Sequence, residues 1–96
     1  MKIFISHPYA NNISGNKLRN LELLYTLKEQ YPEHLFLSPL LLFDYLTEDS
    51  KRAEVMEVCR LMILHIADEL WVYGDTDGCR QEIEFAEKAR IKIKRK

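Results

Sequence analysis

Four short apolar runs alternate with three stretches of helical spacing, and this alternation restricts the chain's fold more than any other feature. The first run, at 2–5, holds Ile3, Phe4 and Ile5, residues that suit a buried strand. The second, at 34–38, reads His-Leu-Phe-Leu-Ser and stops at Pro39. The third, at 69–73, reads Glu-Leu-Trp-Val-Tyr and runs into the turn Gly74-Asp75-Thr76-Asp77-Gly78. The fourth, Ile91-Lys92-Ile93-Lys94, alternates strictly, as an edge strand with one wet face does. Between the first two runs, Leu18, Leu21 and Tyr25, then Leu24, Leu27 and Tyr31, recur three and four apart. They predict an amphipathic helix over 17–31, stopped by Pro32. Val55, Cys59, Met62, Ile63 and Ile66 form a second stripe, behind possible N-caps at 47–50. A third helix is predicted over 78–89.

Strands that alternate with helices predict an α/β fold. The expected architecture is a three-layer Rossmann-like or flavodoxin-like parallel four-stranded sheet, ordered βαβαβαβ, with right-handed crossovers. The loops at 6–15, 39–50 and 74–78 then share one rim, where open α/β sheets bind ligands. With 96 residues, a second core would be too small to fold, so 1–96 reads as a single domain. The longest nearly apolar stretch, 35–43, is interrupted by Ser38 and Pro39 and falls far short of the roughly 20 residues of a membrane span. No cleavage-site pattern follows the apolar start, so a cytoplasmic location is expected.

Fourteen Lys and Arg against fifteen Asp and Glu give a net charge of −1, which excludes a generally cationic nucleic-acid binder. Lys88, Arg90, Lys92, Lys94, Arg95 and Lys96 gather in the last nine residues, either as a local nucleic-acid contact or as charge that protects an edge strand from sheet-to-sheet pairing. Cys59 and Cys79 form no C-x-x-C pair and no Cys/His cluster. They read as reduced core thiols, and no metal or other cofactor is implied. The small core and the free edge lead us to expect a homodimer.

The third helix carries the most informative side chain. At about 100° per residue, Gly78, Cys79, Ile83, Phe85, Ala86 and Ala89 fall on the same side as Glu82, with Arg80, Gln81, Glu84, Glu87 and Lys88 opposite. A carboxylate in the middle of an apolar stripe is costly without a partner. It lies little more than one turn from the helix start, where free amides favour negative charge. There it is placed either to act as nucleophile or general base, or to cap amides or pair with an arginine. Gly78 and Thr76 are placed to receive a phosphate or a sugar hydroxyl, or form an ordinary turn with Thr76 or Asp77 as N-cap. No Gly-Lys-Ser/Thr follows, so the run is not a P-loop. His7, at the rim, is a candidate phosphate contact or acid.

The run Thr76-Asp77-Gly78-Cys79-Arg80-Gln81-Glu82, followed by Ile83 and Ala86, resembles the S/T-x-G-x-x-x-E motif of the nucleoside 2-deoxyribosyltransferase-like superfamily. Ala67-Asp68-Glu69-Leu70-Trp71-Val72-Tyr73-Gly74 resembles the preceding strand in a small bacterial and phage branch of it. Ile3-Phe4-Ile5-Ser6-His7-Pro8-Tyr9 resembles its opening strand and loop, and Leu37-Ser38-Pro39 with Phe43 and Arg52 its second strand and following segment. The resemblance implies a Rossmann-like sheet and cleavage of the N-glycosidic bond of a nucleoside or nucleotide. It implies Glu82 as the nucleophile, Thr76, Asp77 and Gly78 around a 5′ hydroxyl or phosphate, and Tyr9 near the sugar or base. Leu40 stands where that branch carries a histidine, and His7 where it carries a serine. Asp44, Asp75 and Asp77 are candidate acids for the leaving base. A nucleotide-binding or nucleotide-sequestering protein without turnover is the alternative.

Overall fold

In a computed structural model that describes residues 1–8, 13–39 and 52–96, the elements run β1 (Lys2–Ser6), α1 (Ile13–Gln30), β2 (Leu35–Leu37), α2 (Arg52–His65), β3 (Glu69–Val72), α3 (Asp77–Ala89) and β4 (Lys92–Arg95). All three strand pairings are parallel and the order is β2-β1-β3-β4. This is the small Rossmann-like α/β sheet that the alternation of patterns predicts. From β1 the chain first moves outward to β2, then crosses back to the other side of β1 for β3. The fork between the ends of β1 and β3 is therefore the topological switch point, where ligands of such sheets bind. The register sets Ile5 beside Trp71 and Ser6 beside Val72 at this fork.

Period-two alternation sorts the strand side chains into two cores. Ile3, Ile5 and Trp71 pack with Phe36 and with Leu23, Leu24 and Leu27 of α1. Phe4, Leu70 and Val72 pack on the other face with Cys59 and Ile63 of α2 and with Cys79 and Ala86 of α3. The central strands β1 and β3 are covered on both faces, which is why their sequences read as nearly unbroken apolar runs. Ser6 shares the parity of Phe4 and so lies on the face covered by α2 and α3.

Several expectations are corrected in detail. The first helix starts at Ile13, four residues before the predicted position. The added turn carries the poor helix formers Gly15 and Asn16, so the apolar spacing does not extend over it. Only one of its two apolar stripes faces the sheet: Leu27 is buried and Leu24 half-buried, whereas Leu18, Leu21 and Tyr25 are exposed. Toward its start the inward positions are polar instead, with Asn20 Nδ2 donating to Ser38 Oγ at 2.6 Å. Ile66 is exposed because α2 stops one residue before it. The last strand is Lys92–Arg95, one residue later than predicted, and its lysines do more than meet water. The ammonium groups of Lys94 and Lys96 lie 5.3 and 4.2 Å from the centre of the Trp71 ring, covering it by cation–π contact. No helix among the described residues is long and apolar enough to cross a membrane.

Candidate functional site

The switch point is built from the ends of β1 and β3 and the first turns of α2 and α3. Gly74, just past β3, lies against Pro8, just past β1: a Cβ there would meet the proline Cδ at 2.6 Å. The two exit loops therefore touch, and a glycine at this place lets them do so. His7, half-buried, turns its Nδ1 to donate to the Pro8 carbonyl at 2.9 Å, which leaves Nε2 for another partner.

The third helix begins at this fork because Thr76 caps it. The threonine backbone is extended, at φ −94° and ψ 169°, and Oγ1 accepts from the Cys79 N–H at 3.2 Å. Arg80 closes the same turn from outside, with Nε 3.1 Å from Asp75 Oδ1 and Nη1 2.9 Å from Asp77 Oδ1. The acids Asp75 and Asp77 are thus exposed and turned toward Arg80, away from the sheet. Gly78 is buried on the inward side, and a Cβ there would meet Arg52 Nη2 at 2.8 Å.

One turn further on, Glu82 faces the sheet and is 8% exposed. The Ser6 hydroxyl donates to its Oε1 at 2.7 Å. The buried Cys59 thiol and the positive charge of Arg52, both on α2, also act on this carboxyl. Burial pushes the carboxyl pKa up to about 7, while the bond from Ser6, the neighbouring Cys59 thiol and the charge of Arg52 pull in the other direction. Burial and the adjoining carboxyl also push the Cys59 thiol upward, so it stays protonated. A carboxyl that changes charge near neutrality, at the rim of an α/β sheet, has the property expected of a catalytic acid, base or nucleophile.

The residues predicted for the site are thus only partly gathered. Glu82, Thr76 and Gly78 share the inner start of α3, His7 lies on the neighbouring loop, and Asp77 is turned outward. Tyr9 and Asp44 lie outside the described residues. A groove of about 420 Å³ between α2 and α3 is lined by Arg52, Ala53, Met56, Glu57, Gln81 and Phe85, and Glu82 does not line it. Among the described residues no group of three or more His, Cys, Asp or Glu is arranged to hold a metal ion.

Sequence reasoning takes Ser6 as the start of a loop and misses it as the partner of Glu82, whereas Cys59 is the buried free thiol it expects. A signal for Ser6 exists: a small hydroxyl ends a buried strand, on the face that its neighbour Phe4 fills with carbon. Nothing in spacing places Cys59 beside Glu82, a neighbourhood that arises only when α2 and α3 pack together. No curated protein and no solved structure matches this chain. The family model described as Domain of unknown function (DUF7768) does match it, over residues 1–96, and the chain belongs to that family.

Proposed function

We propose that the protein cleaves the N-glycosidic bond of a nucleoside or nucleotide, with the Glu82 carboxylate as nucleophile. The observation that carries this reading is a buried carboxyl held by the Ser6 hydroxyl at 2.7 Å at the switch point, its pKa pushed up to about 7 by burial. The sequence motif ending in Glu82 adds support. A glutamate at that position attacks C1′ of the sugar as the C–N bond breaks, and the bond electrons leave with the base, which takes up a proton. The product is a glycosyl ester of Glu82. Water or a second base then attacks C1′ and returns the carboxylate. The oxocarbenium-like transition state is cationic, and an anion beside it in a water-poor site lowers its energy.

The roles of the neighbours follow from where they lie. Free amides at the start of α3, with the Gly78 backbone and the Thr76 hydroxyl, suit a 5′ oxygen or phosphate. Thr76 Oγ1 already accepts from Cys79, so its own hydroxyl proton is left to donate. Asp77 adds negative charge outside that turn and serves to hold Arg80. His7 Nε2 and Tyr9 complete the proposed contacts to the substrate.

The test is incubation of the pure protein with a panel of deoxynucleosides and their 5′-monophosphates, followed by chromatography of free base. Base release that drops by about 10³-fold or more in Glu82→Gln is the expected result. Release that persists unchanged in Glu82→Gln would sink the reading. Nucleotide binding without turnover is the second reading, and the burial of Glu82 against Ser6 favours it. Calorimetric binding of a nucleotide with no base released would select it.

A further inference from the structure

The sheet takes one stripe of α1 and leaves the other uncovered. Leu18, Leu21 and Tyr25 are 58, 40 and 69% exposed. They follow one another three and four residues apart, the rhythm by which two helices interlock along a coiled-coil seam. Leu27 and Asn20, buried on the sheet side of α1, lie about 100–180° round the helix from them, so the stripe points away from the body of the protein. Opposite charges flank it. At about 100° per residue, Lys17 falls on one side of the stripe and Glu22 and Glu29 on the other. Lys28 takes the next seam position after Tyr25, but its ammonium is held at the helix end, donating to the carbonyls of Pro32 and His34 at 2.7 and 2.8 Å.

We infer that this stripe is where a second copy of the chain docks, α1 against α1, about a twofold axis parallel to the two helices. The direction follows from the charges. In a parallel pair the twofold brings opposite edges of the helices together, so Lys17 of one protomer meets Glu22 of the other, and symmetry makes the contact twice. In an antiparallel pair like edges meet, which sets glutamate against glutamate. The seam on α1, and not the lysine-guarded edge of β4, is thus the surface for a homodimer. It lies across the sheet from α2 and α3, so docking leaves the Glu82 site clear and the inference stands apart from the glycosidic reading. Three apolar layers make a short seam, which places the pair among weak, reversible associations.

The experiment is sedimentation equilibrium of the intact protein over about 10–500 μM, the weak end of specific association. Near-ultraviolet circular dichroism of Trp71 checks the fold of each variant, and every substituted side chain is on the outer side of α1. The wild type is expected to dimerise reversibly in this range. Leu21→Glu raises the dissociation constant by about 10-fold or more, since each substitution counts twice in a symmetric pair. Glu22→Lys weakens the dimer by about 3-fold, and adding Lys17→Glu to it restores the wild-type constant. A loss of folding would not be repaired by a second charge change. A wild type that stays monomeric throughout overturns the inference, as does a dimer that Leu21→Glu leaves unmoved. A dimer that Glu22→Lys strengthens is antiparallel and overturns the proposed arrangement.

Discussion

Two side chains show most plainly how local chemistry decides a conformation. The third helix ends at Arg90 in the left-handed region, at φ 59° and ψ 35°, where its N–H bonds back to the last turn. A Cβ in that region costs about 1–2 kcal/mol, which is why glycine normally holds the position. Arg90→Gly therefore stabilises the protein by about 0.5–1 kcal/mol, after the greater unfolded-chain freedom of glycine is subtracted, as read by urea denaturation. Trp71 is the opposite case, a residue whose place the sequence announces. Its indole N–H donates to Glu69 at 2.9 Å, and this bond, ahead of the nearby lysine charges, holds the Glu69 carboxyl below the usual range. The Tyr31 ring meets its plane edge-on at 5.4 Å.

At the scale of elements, α3 is where structure and proposed chemistry meet. It has the N-cap, the inward stripe and the acid on one helix, and each depends on the previous one. Thr76 fixes the start, the start fixes the phase of the turns, and the phase directs Glu82 toward Ser6. Thr76→Ala removes the acceptor for the Cys79 N–H and costs about 1 kcal/mol in thermal or urea unfolding. The residues facing the sheet from α3 could be read in advance, since Gly78, Cys79, Glu82 and Ala86 are all buried as the helical spacing predicts. For α1 the same arithmetic found the helix but not its inner face. Two apolar stripes were available, and the spacing gives both equal weight. The sheet beneath α1 takes only one of them, together with a row containing Asn16 and Asn20.

For the whole molecule, the buried acid links folding to pH. The Glu82 carboxyl titrates near 4.5 when ordinary and near 7 when folded, so the native state binds its proton more tightly. Its favourable contribution is complete below pH 4.5 and is lost as pH rises through 7, a difference of about 3 kcal/mol. Urea denaturation at pH 5 and pH 8 is expected to show wild-type stability falling by about that amount relative to the same pH change in Glu82→Gln. Equal changes in the two proteins would contradict the assignment. The base-release activity proposed above runs in the opposite sense, because the nucleophile must be ionised. Activity therefore rises through pH 7 while Glu82's contribution to stability declines.

The amino-acid sequence on its own determined the class of fold, the sequence of elements and the inward phase of Glu82. Those properties follow from periodicities of two and 3.6 residues and from caps and breakers, all of which act within a few neighbours along the chain. The packed molecule alone decided the rest: which stripe of α1 is buried, that Lys94 and Lys96 cover Trp71, and that Ser6 of β1 becomes a donor to a carboxyl on α3. These outcomes join residues distant in the chain, and their energies exist only once the elements exclude water from one another. A hydroxyl that ends a buried strand shows itself as out of place among carbon, but not which partner folding brings to it.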